Sequence, residues 1–105
     1  MNNGYSPSIM QSDLSRCYIC GRSSQKLDRH EIYHGDMKGV LRKKSKQYGL
    51  WVVLCHWDCH LNGAHARKDI SDMLKREGQE RAMAYYGMSN DEFIAEFGKN
   101  YLEGK

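Results

Sequence analysis

The sequence has a single proline and no apolar run approaching about 18 residues, so no segment reads as a membrane-spanning helix. Met1 to Ser15 has no basic start followed by an apolar stretch, and a secretory leader is therefore not expected. One proline beside ten glycines excludes a collagen-like or low-complexity chain. Apolar residues are also scarce: 40% of 105 residues, with a clearly negative mean hydropathy. A chain this short and polar builds little core, and metals or oligomerisation commonly supply stability at this size. The expectation is one small domain over residues 16–105 behind a flexible lead-in over residues 1–15, cytoplasmic and without a membrane partner. In a reducing compartment, four cysteines read as metal ligands or reactive thiols rather than disulfides.

Charge is unevenly distributed. The formal net charge is +3. Residues 1–68 hold eleven Lys/Arg against five Asp/Glu, whereas residues 69–105 hold five against eight. A basic first part is the electrostatic footprint of a polyanion partner, nucleic acid first among them, although an ordinary solvated face has the same composition.

Leu27 to Tyr33 contains no glycine or proline and predicts a short strand. Gly35 to Tyr48 is polar, basic and punctuated by glycine, as in a loop or short surface helix. Gly49 to Leu54 is β-branched, aromatic and continuous, the pattern of a buried strand. From Asp69, a plausible N-cap, Ile70, Met73, Leu74, Ala82 and Tyr85 recur at helical spacing, and Gly87 ends the run. Gly78 inside it costs about 1 kcal/mol relative to alanine. Ser89 to Glu92 has the form of a capping box. The helix it opens carries Phe93, Ile94 and Phe97 on one face and stops at Gly98.

All four cysteines and all five histidines lie between Cys17 and His65. Cys17-x2-Cys20 and Cys55-x3-Cys59 are two thiol pairs, each spaced to hold one side of a tetrahedral ion at Zn–S distances of about 2.3 Å. A structural Zn²⁺ on Cys17, Cys20, Cys55 and Cys59 would answer the shortage of core, because metal binding becomes folding energy. Buried free thiols, a redox pair at Cys17/Cys20, or His56 or His60 replacing one thiolate are the other readings of this spacing. His30, His60 and His65, with Glu31 nearby, form a second candidate set, since neutral imidazole suits first-row divalent metals and carboxylate suits Mg²⁺ or Mn²⁺. His34 and His56 have no distinctive spacing.

Taken in order, Cys17-x2-Cys20, Leu27-Asp28-Arg29-His30-Glu31-Ile32, Gly49 to Leu54 running into Cys55, and Cys59-His60 resemble the HNH endonucleases. That family carries a ββα-metal (His-Me finger) motif on a treble-clef zinc scaffold. The chain is also similar to small phage and prophage proteins related to RecA-dependent recombination-enhancement nucleases. It shares with them the segments Arg42-Lys43-Lys44-Ser45, Tyr48-Gly49-Leu50 and Leu74-Lys75-Arg76-Glu77-Gly78-Gln79. The resemblance covers roughly residues 16–102. Three positions depart from the pattern: Glu31 stands where the family has its general-base histidine, Leu50 stands where it has its middle asparagine, and the Cys55–Cys59 spacing is one residue longer.

The resemblance implies an α+β fold, a small zinc-stabilised ββα core with two C-terminal helices. It implies a metal-dependent DNA endonuclease, phage or prophage encoded and acting in a bacterial cytoplasm, with recombination or packaging proteins as further partners. In that scheme His30 and His60 hold a catalytic cation (Mg²⁺, Mn²⁺, Ni²⁺ or Zn²⁺), His65 is an additional ligand, and Glu31 is base or ligand. Lys38, Arg42, Lys43, Lys44 and Lys46 contact DNA phosphates without reading sequence. The alternative is a catalytically inactive zinc module that binds DNA or protein.

Overall fold

Trp51–Cys55 (β2) is buried at every position and forms the centre of the molecule. The structure is a computed structural model that describes residues 4–23, 26–35 and 38–102. The first three residues of the expected lead-in and residues 103–105 of the expected domain lie outside these. Leu27–Glu31 (β1) pairs antiparallel with β2 in one continuous register, from Leu27 opposite Cys55 to Glu31 opposite Trp51. Side chains alternate between the faces of a regular strand. Asp28 and His30 therefore share one face, and Arg29 and Glu31 the other.

Between the strands lies a helix, Val40–Tyr48 (α1), which carries most of the basic segment. Its buried Ser45 fixes it to the chain following β1: Ser45 Oγ accepts from Tyr33 N at 2.9 Å and donates to Tyr33 O at 2.8 Å. Gly49 ends α1 at φ 71°, and a Cβ there would collide with the Pro7 carbonyl. Only glycine suits that position, on both counts.

After β2 the chain enters a π-helix, His56–Ala64, then Lys68–Tyr86 (α2) and Asn90–Phe97 (α3). The capping box at Ser89 is present in both directions. The start and buried face of α2 differ from expectation. It begins one residue before Asp69, with Arg67 at its N-cap, and Tyr85 is 68% exposed. The residues it buries are Leu74, Gly78, Gln79 and Ala82. Hydrophobic periodicity cannot register a glycine or a glutamine as core, yet both are needed. A Cβ on Gly78 would lie 2.8 Å from Tyr33 Oη and 3.2 Å from Ile32 Cγ2, so the close approach of α2 to Ile32 and Tyr33 depends on its absence. The fully buried Gln79 donates to Asn90 Oδ1 at 2.7 Å and Asn100 Oδ1 at 3.1 Å, and accepts from Tyr101 N at 2.7 Å. It thus ties α2 to α3 and the following chain. Phe93 and Phe97 complete the core against Tyr33.

Residues 5–11 do not stand free of the domain. Ile9 N donates to Gly49 O at 2.9 Å, Ser8 Oγ to Trp51 O at 2.7 Å, and Val53 N to Gln11 Oε1 at 2.9 Å. Tyr18 N donates to Val53 O at 2.8 Å. These bonds satisfy the outer edge of β2, which would otherwise present unpaired backbone groups. Met10 is buried beneath. The flexible lead-in expected from composition is, over these residues, a strap along β2. Side chains rather than a strand ladder make most of its bonds, so no periodicity announces it.

The result is a small mixed α+β fold: a two-stranded sheet with helices packed around it. Among the described residues, no helix is long and apolar enough to cross a membrane.

Candidate functional site

The four cysteines converge, as their spacing predicts. Their sulfurs all lie within 4.8 Å of one another, and Cys20 Sγ and Cys55 Sγ are 3.8 Å apart. A tetrahedral ion with Zn–S bonds of about 2.3 Å requires S···S separations of about 3.8 Å, so this donor set fits zinc. The Cys17–Cys20 turn is closed by Gly21 N donating to Cys17 O at 2.9 Å and docked on β2 through Tyr18. Burial pushes the Cys17 thiol up, but the backbone amides of Cys20, Cys55 and Ile19 outweigh this and bring it down to about 7. Amides that favour a thiolate favour a metal ligand. Cys59, buried among the other three sulfurs, is pushed up.

The extra residue between Cys55 and Cys59 has a structural counterpart. The segment that carries Cys59 is a π-helix, whose wider i→i+5 closure is visible where His65 N donates to His60 O at 3.0 Å. Cys55 at its N-cap and Cys59 within its first turn still face the Cys17–Cys20 turn. Neither His56 nor His60 takes the place of a thiolate. Both Nδ1 atoms face Asp28 Oδ2 instead, at 2.6 Å and 2.9 Å.

Asp28 opens the second site. A carboxylate can only accept, so both imidazoles turn an Nδ1–H toward Asp28, and the His60 ring presents its Nε2 on the far side. That nitrogen lies 3.1 Å from Nε2 of His65. His30, on the same face of β1 as Asp28, completes a set of three imidazoles whose nitrogens lie within 4.8 Å of one another. Two imidazole nitrogens 3.1 Å apart suit one shared cation with M–N bonds of about 2.0–2.1 Å. Burial, then the neighbouring charges of His34, His60, His65 and Lys75, hold His30 down to about 3. Burial also lowers His34 and His65. Lowering the pKa of an imidazole favours its neutral form, the one that binds metals.

The set lines a cleft of about 560 Å³ that also includes His34, Arg29, Glu31 and Arg42. His34 sits 5.4 Å from His30 and 5.5 Å from His65, ring centre to ring centre, at the edge of the three-imidazole set. Glu31 is apart from it. No bulge interrupts β1, so its side chain leaves the opposite face, where Tyr5 Oη donates to one carboxylate oxygen and Arg42 Nε to the other at 2.9 Å.

The basic segment is divided among several neighbours. Arg42 holds Glu31, Lys44 reaches the Glu96 carboxylate at 3.2 Å, and the Lys46 ammonium lies 5.0 Å from the centre of the Tyr5 ring. Lys38 lies at the edge of the described residues, and Lys43 is exposed. Asp28, His34 and His56 belong to the site although sequence spacing does not single them out. The signal for Asp28 was its place two residues before His30 on a strand, which puts both on one face. Comparisons with family models, with curated proteins and with solved structures find no match for this chain.

Proposed function

We propose that this protein is a metal-dependent DNA endonuclease of HNH type, with the four cysteines holding a structural zinc and His30, His60 and His65 holding a catalytic divalent cation. The observation that carries the reading is the convergence of three imidazoles in an open cleft, one of them clamped at its far nitrogen by Asp28. A carboxylate–histidine pair of this kind orients a metal-binding ring and raises its basicity. A cation there would polarise a phosphodiester and stabilise the leaving oxygen.

The remaining roles fall to side chains in the same cleft. Glu31 occupies the family's base position, but Tyr5 and Arg42 take both of its oxygens, and in this reading it anchors α1 and the strap. His34, which borders the cleft without joining the three-imidazole set, is the group placed to accept a proton from water. Arg29 and Arg42 stand at the rim as phosphate contacts.

Plasmid relaxation with Mg²⁺, Mn²⁺, Ni²⁺ or Zn²⁺ tests this. Nicking by the wild type, its loss in His60→Ala with zinc retained, and slow nicking by His34→Gln with the cation still bound are expected. Retention by Glu31→Gln of most of the activity would fit Glu31 as an anchor. The engagement of Glu31, with the buried Leu50 where the family has asparagine, favours a second reading: a silent zinc module that binds DNA. DNA binding without relaxation in any of the four cations would select it.

A further inference from the structure

Beyond His34 and His65 the histidine cleft continues into another, of about 510 Å³, built from the start of α2 and the chain after α3. Its walls carry Arg67, Lys68, Lys75 and Lys99 against one carboxylate, Asp72. Two of the four cations are neutralised locally: Arg67 pairs with Asp69 at 2.8 Å and Lys68 with Asp72 at 2.6 Å. Among the described residues, Lys75 and Lys99 have no carboxylate within ion-pair distance. Both ammonium groups instead lie over Tyr101, 5.8 Å and 5.7 Å from its ring centre. Tyr101 is a fixed floor, since its ring packs 5.2 Å from that of Tyr33 and its backbone nitrogen is bonded to Gln79.

Two like charges drawn onto one ring repel, and the ring quadrupole offsets that only in part. An anion between them removes the conflict. Lys75 is also near enough for its charge to act on His30 and His34. The charge count of residues 69–105 hides this feature, because several carboxylates there are engaged elsewhere. Glu77 accepts from Tyr18, Glu92 closes the capping box, and Glu96 binds Lys44 and Tyr48. Among the described residues, Asp72 is the one carboxylate on the cleft wall: Lys68 holds it, the charges of Lys75 and Lys99 lower its pKa further, and a single acid is left facing three ammonium groups.

We propose that this cleft is the second half of a nucleic-acid track, in which Lys75 and Lys99 hold strand phosphates flanking the phosphodiester presented to His30, His60 and His65. The proposal rests on the nuclease reading and deepens it. The polyanion crosses the histidines from the Arg29/Arg42 rim to the Tyr101 floor, and the C-terminal third, acidic by count, supplies half of the contacts.

The test is fluorescence anisotropy of a labelled DNA duplex across a salt series, with full-length zinc-loaded protein and no added catalytic cation. Lys75→Gln, Lys99→Gln and the double variant are compared with wild type, and zinc content and thermal midpoint confirm the fold. Each lysine should contribute about 0.9 to the log–log salt slope, so the double variant should lose about 1.8. Either single variant suffices if the double variant does not fold. Inorganic phosphate at constant ionic strength should not displace the duplex, and displacement would mean a single-phosphate pocket and overturn the track. An unchanged slope in variants whose parent nicks plasmid overturns the cleft assignment and leaves the nuclease reading standing. Wild-type protein that neither binds nor nicks DNA removes both.

Discussion

Asp28 Oδ2 lies 2.9 Å from Nδ1 of His60, and that contact determines which nitrogen of His60 faces the cleft. The same oxygen receives His56, so one carboxylate orients two rings of the π-helix from a neighbouring strand. Asp28→Asn keeps the size and weakens the acceptor. Affinity of the histidine site for Mn²⁺ or Ni²⁺ should fall about 10–100-fold, the usual cost of losing such a partner, with zinc content unchanged. Calorimetric titration of the cation measures this, and unaltered affinity would show that His60 needs no clamp.

In the proposed reading, zinc on the four cysteines is the main staple of this small domain. Structural zinc contributes about 10–16 kcal/mol in small zinc peptides, against a net stability of about 5–15 kcal/mol for ordinary domains. A strong chelator should therefore unfold the protein, and Cys20→Ser should give insoluble or unfolded chain. Circular dichroism through a chelator titration checks it, and a cooperative thermal transition that survives complete zinc removal would contradict it.

His30 sets a pH dependence. Its folded pKa is about 3, while an unfolded histidine titrates near 6.5. Between these values the unfolded chain binds the extra proton, so stability rises with pH. The contribution is fully present above about 6.5 and is lost as pH falls toward 3. The ring resonances of His30 should show no titration between about pH 8 and 5, and denaturant midpoints should decline below about pH 6.5. A His30 ring titrating near the ordinary histidine value would place it in water rather than in the core.

Gly78→Ala sets two effects against each other. Helix propensity favours alanine by about 1 kcal/mol. The new Cβ meets Tyr33 Oη at 2.8 Å, and that hydroxyl is itself bonded to Lys75 O at 2.5 Å. Overpacking against a pinned group costs about 1–3 kcal/mol, so net destabilisation is expected. Thermal denaturation reads the sign, and a higher midpoint would mean that Tyr33 yields.

The elements were legible where a local rule sufficed. The β-branched run of β2, the capping box at Ser89 and the stops at Gly87 and Gly98 all stand within a residue or two of expectation. So did the four-cysteine cluster, because two close thiol pairs have few other uses. The strap along β2 was not legible, because Ser8, Gln11 and the Trp51 indole make its bonds and none leaves a periodic trace. Gln79 was missed for the same reason: its burial depends on Asn90, Asn100 and Tyr101, which only the fold brings to it. The site was half legible. Reading Glu31 beside His30 at one ion needs a bulge in β1 to re-aim one of them, and the continuous β1–β2 register supplies none. Asp28, His34 and Lys75 enter through contacts between elements distant in sequence.

The central claim is that the imidazole cleft holds a divalent cation distinct from the structural zinc. Metal analysis of purified full-length protein, equilibrated with Mn²⁺ or Ni²⁺, tests it most directly. The account predicts one tightly held zinc and one exchangeable ion per chain in the wild type, with His60→Ala keeping the first and losing the second. A wild-type protein that holds only the zinc at every cation concentration, or a His60→Ala variant that keeps both ions, would contradict it.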